Sequence, residues 1–198
     1  MMWGKQKQQT LFPETNLRGF RITLRPPSLN DWEQWAQVRE ANKDHIQPFD
    51  PRWPSKAYSY DLFERRVHRQ AREWDLGLAN AFLIFKNEDN SLIGGMNINN
   101  ICRGAAQYAA LGYWLDQGHE GQGYMTETLR MTLQYCFEGL NLHRVNASCL
   151  AHNTRSKKTL LKAGFKEEGF AEKYLQIDGR WQDHELFGLP IENWQEKP

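Results

Sequence analysis

The segment that decides the fold of this chain reads Gly112-Tyr113-Trp114-Leu115-Asp116-Gln117-Gly118-His119-Glu120-Gly121-Gln122-Gly123-Tyr124-Met125-Thr126-Glu127. An apolar run leads into a loop with two glycines at GxG spacing, and a helical pattern follows. Glycines let backbone N–H groups converge because they carry no Cβ atom. The start of a helix adds unpaired N–H donors and a partial positive charge. The segment therefore predicts a strand, a loop and a helix that bind a phosphate or pyrophosphate.

A GxG tripeptide is weak evidence by itself, because a flexible loop without any ligand also explains it. Two better-defined phosphate motifs are excluded. A dinucleotide fingerprint needs a third glycine where this chain has Thr126. A P-loop needs Gly-Lys followed by Ser or Thr, and the sequence contains no such tripeptide.

Hydrophobic patterns on both sides of this segment predict an α/β domain of mixed type. Strands are predicted over Phe20–Arg25, Ala81–Phe85, Leu92–Ile101, Gln107–Asp116, Arg144–Leu150, Lys166–Ile177 and Trp181–Leu189. Helices are predicted after a cap at Ser28 or Asn30, and over Tyr60–Leu78, Tyr124–Gly139 and His152–Lys162. The strand 107–116, the helix 124–139 and the strand 144–150 form a right-handed β-α-β unit, so these two strands run parallel.

Composition excludes several classes of protein. The chain carries 25 Lys and Arg against 24 Asp and Glu, and this balance argues against a strongly basic nucleic-acid binder. No apolar run is long enough to span a bilayer and no signal peptide is visible, so a cytoplasmic protein without membrane contact is expected. Three cysteines without CxxC spacing disfavour a disulfide framework, and no metal is expected. Residues 1–17 are polar and aperiodic, which predicts a flexible tail before a single domain over residues 18–198.

A series of motifs extends the pattern beyond the glycine loop, in this order: Gly112–Asp116, Glu120–Met125, Leu142–Arg144, His152–Ser156, Leu161–Phe165, Glu167–Phe170 and Tyr174–His184. In order and spacing, from about residue 20 to residue 190, the chain resembles the GNAT acetyltransferases, which use acetyl-CoA. It most resembles their RimJ/RimL-type branch, and RimJ-like members within it. That branch acetylates the N-terminal alanine or serine of ribosomal proteins.

The resemblance implies a GNAT fold, a strongly twisted mixed sheet of six to seven strands with about four helices. CoA would enter a V-shaped gap between the two parallel strands, with its pyrophosphate on the backbone of Gly121–Met125 and its pantetheine arm along Tyr113–Leu115. The residues implied to bind CoA are Tyr113, Trp114, Leu115, Gly121, Gln122, Gly123, Tyr124, Met125, Thr126, Asn153 and Ser156.

The catalytic residues depart from the pattern of many relatives. These carry a tyrosine seven residues after the asparagine, as general acid for the thiolate, whereas this chain has Leu160. The resemblance implies that Ser156 donates to the CoA thiolate instead and that Asn153 bonds the pantetheine arm. Taken alone, the residues also allow Asn153 to be a helix N-cap and Ser156 a surface serine. A backbone N–H near Leu115 would hold the thioester carbonyl.

The sequence leaves the general base open. An N-terminal amine has a pKa of about 7.7–8.0, so much of it is neutral near physiological pH, and a carboxylate acting through water suffices. The candidates are Asp116, Glu168, Glu172 and Asp183, and Glu172 is the one we expect to act.

The loop Gln47–Pro54 is rich in proline and aromatic residues, which predicts neither helix nor strand. We expect Phe49, Asp50 and Trp53 to bind the acceptor, with Asp50 attracting its ammonium group. The alternative is that the two aromatic side chains only fill the space between the first two helices.

The predicted function is transfer of an acetyl group from acetyl-CoA to the N-terminal alanine of a ribosomal protein, by direct attack of the amine. Two alternatives remain open. One is a GNAT enzyme for a small amine such as a polyamine or an aminoglycoside. The other is a non-catalytic, ribosome-associated module that binds acyl-CoA.

Overall fold

The computed structural model describes residues 11–194, and its strands form one sheet. The eight strands are Leu17–Arg18 (β1), Ile22–Arg25 (β2), Asn80–Lys86 (β3), Leu92–Cys102 (β4), Tyr108–Leu115 (β5), Arg144–Leu150 (β6), Lys166–Ile177 (β7) and Arg180–Pro190 (β8). Their order across the sheet is β1-β2-β3-β4-β5-β6-β8-β7. The mixed α/β class is as predicted, but the sheet has eight strands rather than six or seven.

Five helices accompany the sheet: Trp32–Ala41 (α1), Lys43–Ile46 (α2), Tyr60–Asp75 (α3), Tyr124–Gln134 (α4) and Thr154–Lys162 (α5). Successive side chains of a strand point to opposite faces. On β5, Trp114 lies 5.1 Å from the guanidinium of Arg39 in α1, whereas Tyr113 bonds Ser156 in α5. Helices α1 and α5 therefore lie on opposite faces of the sheet.

All strand pairs are antiparallel except β5 with β6, which run parallel on either side of α4. The predicted β-α-β unit is thus confirmed. Strand β3 is buried over Asn80–Phe85, as its continuous apolar run indicated. Phe63 and Val67 of α3 are almost fully buried in the core, and the rings of Phe63 and Trp35 of α1 lie 5.0 Å apart.

The flexible tail predicted over residues 1–17 overlaps strand β1. Residues 1–10 lie outside the described residues. Further on, Phe12 is buried with its ring 5.6 Å from Trp74, and Leu17–Arg18 pair with β2. The burial of the Phe12 ring holds this segment against the domain although its neighbours are polar. The segment continues into β1, which is the eighth strand of the sheet.

Two other boundaries differ from the prediction. Helix α4 ends at Gln134, and the chain then widens into a π-turn over Tyr135–Gly139, where the N–H of Leu140 donates to the carbonyl of Tyr135. Gln47–Phe49 forms one 3₁₀ turn inside the loop that was expected to be irregular. All three cysteines are free thiols. Within residues 11–194 no helix combines the length and apolar character needed to cross a membrane.

A capping box at Ser28, one of the two predicted caps, begins the 3₁₀ turn Leu29–Asp31 that leads directly into α1. The Ser28 hydroxyl accepts from the N–H of Asn30, and the Asp31 carboxylate accepts from the N–H of Ser28. Asp31 is buried and also accepts two hydrogen bonds from Arg25, at 2.6 and 2.8 Å. One carboxylate therefore ties β2 to the first helix.

Replacing Asp31 by alanine should lower the free energy of unfolding by about 2–3 kcal/mol, because it removes a cap and leaves the Arg25 guanidinium unpaired. Urea denaturation measures this. Asp61→Ala, at an exposed first-turn position of α3, is the matched control and should change stability by less than about 0.5 kcal/mol. Equal losses in both variants would mean that the Asp31 contacts do not stabilise the fold.

Candidate active site

The candidate site begins where β5 and β6 diverge. The two parallel strands pair over four residues, from Tyr108 opposite Arg144 to Leu111 opposite Ala147. Beyond this point β5 continues to pair with β4, and β6 continues to pair with β8. A gap therefore opens inside the sheet between residues 112–115 and 148–150, as the V-shaped gap was expected to do.

One edge of this gap offers backbone donors. The N–H of Asp116 donates to the carbonyl of Ile93 on the β4 side. Because backbone N–H groups alternate in direction along a strand, those of Tyr113 and Leu115 point to the other side, into the gap. The backbone donor predicted at Leu115 thus faces open space between the strands.

The loop after β5 forms a cradle of N–H groups. Gly121 and Gly123 have φ angles of +71° and +84°, a conformation that L side chains rarely adopt. No N–H group from Gly121 to Thr126 donates to another residue of the described part. The N–H groups of Tyr124 to Thr126 belong to the first turn of α4, where no carbonyl of the helix is placed to accept from them. Convergent free donors at a helix N-terminus suit a pyrophosphate.

The first part of this loop is held by Asn42, the residue between α1 and α2. The buried side chain of Asn42 donates to Asp116 at 2.6 Å and accepts from the N–H of Gln117 at 2.8 Å. The Asp116 carboxylate also bonds the ring of His119 at 2.5 Å. These contacts fix the turn through which the chain leaves β5.

Two further contacts hold the middle of the loop. Glu120 bonds the ring of His45 in α2 at 2.9 Å and Arg155 in α5 at 2.5 Å. The side chain of Gln122 turns back to donate to the carbonyl of Gly118. The loop is therefore attached to helices on both faces of the sheet.

Arg21 holds the start of α4, and sequence reasoning did not identify it. Its backbone and side chain both donate to Glu127 at 2.9 Å, and its guanidinium also donates to the carbonyl of Gln122 and lies 4.6 Å from the Tyr124 ring. The partners of Arg21 lie about a hundred residues away in the chain, so no local sequence pattern reveals its role.

Two hydroxyl groups meet across the gap. The phenol of Tyr113 and the hydroxyl of Ser156 are 2.8 Å apart. Burial raises the pKa of Tyr113 to about 12, so its phenol stays protonated at neutral pH. Asn153 accepts from the N–H of Ser156 at 3.1 Å and so caps α5, which is the structural role that the residues alone allowed. Only the backbone of Tyr113 was expected to contact CoA, and no role was predicted for its phenol.

The Cys149 thiol and Leu160 lie near Ser156. Burial raises the pKa of the Cys149 thiol to about 11, while a hydrogen bond with Ser156 opposes that shift. Leu160, where relatives have a tyrosine, is completely buried. The hydroxyls of Ser156 and Tyr113 therefore lie together on this side of the gap, beside the protonated Cys149 thiol.

The four candidate bases differ in their partners. Asp116 is bound by Asn42 and His119, Glu168 pairs with Arg144, and Asp183 accepts from the N–H of Lys173 at 2.8 Å. Glu172 is exposed and makes no hydrogen bond or ion pair with another residue in the range 11–194.

The loop 47–54 lies beside the gap but is partly closed on itself. The Asp50 carboxylate accepts from the buried Arg39 at 2.6 Å and from the indole of Trp53 at 3.0 Å. Arg39 also lies 4.0 Å from the Trp53 ring. Phe49 remains 40% exposed, with its ring 5.9 Å from that of His152, beside the start of α5. The Asp50 charge is therefore paired with Arg39, and of the three residues expected to bind the acceptor Phe49 is the exposed one.

Comparison with known proteins decides the family. The acetyltransferase (GNAT) domain model matches residues 21–166. The chain belongs to the GNAT acetyltransferase family. It is 34% identical over 173 residues to a probable N-acetyltransferase, YjcK, of Bacillus subtilis, covering 87% of this chain and 96% of that protein.

Two further relatives carry more specific names. This GNAT acetyltransferase is 32% identical to the ribosomal protein uS5-alanine N-acetyltransferase of Escherichia coli, covering 92% of this chain and 94% of that protein. The solved structure of Mycobacterium smegmatis RimJ in complex with CoA-disulfide is similar with a TM-score of 0.82 and 31% identity. It covers 86% of this chain and 82% of that chain.

The cradle predicts how this acetyltransferase responds to a change at Gly123. A Cβ atom there would lie 3.3 Å from the Arg21 guanidinium and would crowd the converging donors. Gly123→Ala should weaken CoA binding at least tenfold, about 1.4 kcal/mol, as measured by calorimetry.

The matched control is Gly104→Ala. Gly104 also has a positive φ of +69°, but nothing lies within 4 Å of its Cβ position. Both variants should lose similar stability, because both force a side chain into the left-handed region. Equal CoA affinities in the two variants would contradict the phosphate-cradle interpretation.

Proposed function

We propose that this enzyme transfers the acetyl group of acetyl-CoA to the α-amine of an N-terminal alanine on a ribosomal protein. The observation that carries the proposal is the cradle of free N–H groups at Gly121–Thr126, which opens on the gap between β5 and β6. The Escherichia coli relative named for the alanine of ribosomal protein uS5 supports this acceptor.

The reaction needs three contributions from the chain. The Leu115 N–H donates to the thioester carbonyl as negative charge develops on its oxygen. The neutral amine attacks the carbonyl carbon, so that a C–N bond forms and the C–S bond breaks. The sulfur takes a proton from Ser156 while Ser156 takes one from the Tyr113 phenol, which is reprotonated from solvent. The amine nitrogen loses its proton through water to a carboxylate.

Tyr113 acts as a positioning residue for Ser156. When the serine donates its proton to sulfur, its oxygen needs a compensating hydrogen bond, and the Tyr113 phenol at 2.8 Å supplies it. Because the pKa of Tyr113 is raised to about 12, the phenol remains a donor throughout the working pH range. The pair replaces the tyrosine that is absent at Leu160.

Glu172 is our choice as general base. It lies on β7 next to Ala171. Ala171 pairs with His184 of β8, and His184 pairs with Leu150 at the end of β6. Two strand spacings of about 4.8 Å each separate its strand from the edge of the gap, so the proton would reach Glu172 through a short chain of waters. The other candidates already have partners in the protein.

A protein N-terminus fits the acceptor side better than a polycation does. A polyamine calls for several free carboxylates around its binding site. Within the described residues, however, Asp50 is paired with Arg39, and Asp116 is bound by Asn42 and His119. The exposed ring of Phe49 beside His152 offers an apolar wall, which suits the first residues of a peptide.

The experiment that tests this function is acetyl transfer followed by mass spectrometry. A peptide with free N-terminal alanine should gain one acetyl group, and the same peptide with a blocked N-terminus should not. Spermidine serves as the competing small amine. Efficient acetylation of spermidine with none of the peptide would overturn the proposed acceptor.

Ser156→Ala should lower kcat by about tenfold to a thousandfold, with little change in the peptide KM, because it removes the proton donor to sulfur. Steady-state kinetics with an alanine peptide measures this. Thr159→Ala is the control, since it removes a hydroxyl from the same helix that bonds only the carbonyl of Arg155. Full turnover in Ser156→Ala, with chemistry limiting the rate, would exclude Ser156 as the acid.

A further inference from the structure

Arg39 is a buried cation that the proposed reaction does not use. It lies in the last turn of α1 and is only 4% exposed. Within residues 11–194 its one ion-pair partner is Asp50, at 2.6 Å. A buried charge costs free energy unless it is paired, so each of the two residues holds the other in place. Three indole rings also lie close to the guanidinium, those of Trp53 at 4.0 Å, Trp114 at 5.1 Å and Trp35 at 6.0 Å.

Through Trp114, Arg39 contacts the strand that borders the gap. Trp114 precedes Leu115, whose N–H donates to the thioester carbonyl in the proposed reaction. Its ring lies on Gly95 of β4, where a Cβ atom would be 2.4 Å from the indole nitrogen. Only glycine leaves room for the ring at this position. The Trp114 ring is therefore packed flat on the sheet and gives Arg39 a fixed surface on the β5 side.

The loop that contains Asp50 also contacts the far side of the gap. The N–H of Asp178, in the turn between β7 and β8, donates to the carbonyl of Asp50 at 2.8 Å. The side chain of Gln47 donates to the Asp178 carboxylate at 3.2 Å. The ring of Phe49 lies 5.9 Å from that of His152, two residues after β6 ends. Asp50 is thus bound through its carboxylate on one side and through its backbone on the other.

These contacts place the loop across the open end of the gap. The gap is closed at one end by the pairing of Leu111 with Ala147, and it opens toward the last residues of β5 and β6. Arg39 binds the loop on the β5 side of this opening, and Asp178 binds it on the side of β8. Breaking the Arg39 contact would release the loop from β5 while its contact with the β7–β8 turn remained.

We infer that Arg39 is a positioning residue that fixes the loop 47–54 across the open end of the gap, and that Asp50 affects the acceptor only through this contact. The effect on the acceptor rests on the proposed function, in which Phe49 borders the acceptor peptide. The sequence instead predicted that the Asp50 carboxylate attracts the ammonium group of the acceptor. In the structure Oδ2 of that carboxylate accepts from Arg39 and from the indole of Trp53.

The two roles of Asp50 give opposite expectations for a change at Arg39. If Asp50 bound the ammonium group directly, removal of the Arg39 charge would free the carboxylate and strengthen acceptor binding. If Arg39 positions the loop, the same removal weakens acceptor binding, because the loop must then be ordered when the peptide binds. Variants of the two residues therefore distinguish positioning from direct attraction.

The kinetic test uses Arg39→Gln, Asp50→Asn and the double variant with a peptide that begins with alanine. Each variant should raise the peptide KM about tenfold, while kcat and the acetyl-CoA KM change by less than about twofold. The double variant should resemble either single variant, because all three break the same contact. Arg39→Lys keeps the charge but not the planar group on Trp53, so it should raise the peptide KM less. This variant covers the case in which Arg39→Gln does not fold.

Asp31→Asn is the matched control. It breaks the ion pair of Asp31 with Arg25, which lies at the other end of α1 and away from the loop. It should lower the thermal stability and leave the peptide KM unchanged. The inference is wrong if the peptide KM falls or stays the same in the Arg39 variants, or if the single increases add in the double variant.

Amide hydrogen exchange of the unliganded enzyme tests the position of the loop without turnover. The N–H of Asp178 should exchange at least about tenfold faster in Arg39→Gln and Asp50→Asn than in the wild type or Asp31→Asn, because its acceptor on the loop is no longer held. If this occurs while the wild type acetylates no alanine peptide, the positioning role stands and the proposed acceptor fails. If the peptide is acetylated while Asp178 exchanges equally in all four proteins, the acceptor stands and the positioning role fails.

Discussion

The parallel pairing of β5 and β6 ends after Leu111 and Ala147, and the candidate site depends on this divergence. Each strand keeps its antiparallel partner on the outer side, so the sheet stays intact while two inner edges lose their hydrogen bonds. A backbone group left without a partner costs free energy unless water or a ligand satisfies it. The gap is therefore a preformed edge that a ligand arm with amide groups can pair with.

The loop beyond the gap owes its shape to contacts from three distant elements. Asn42 fixes its start, Glu120 its middle, and Arg21 the first turn of α4. An isolated ion pair at the surface contributes little stability. Together these contacts hold the glycine backbone in place before a ligand arrives, which reduces the entropy lost on binding. Arg39 lies in α1 and the loop 47–54 follows α2, so the glycine loop and the loop 47–54 are held by one framework.

Local patterns predicted much of the fold and the cradle, whereas the contacts between distant segments could not be predicted. The bounds of β6 and β7 follow from the periodicity of the chain, and the glycine spacing identified Gly121 and Gly123. The pairs Tyr113–Ser156 and Arg39–Asp50 leave no local signal, because each depends on how helices pack on the sheet. Strand β1 is two residues long, too short for any period to appear.

We propose that backbone donors from the end of β5 to the first turn of α4 hold CoA. Amide hydrogen exchange with and without acetyl-CoA tests this most directly. Exchange should slow on binding at Tyr113, Leu115 and residues 121–126, with little change in β3 or α3. Protection confined to the face that carries α3, with none at residues 121–126, would contradict it.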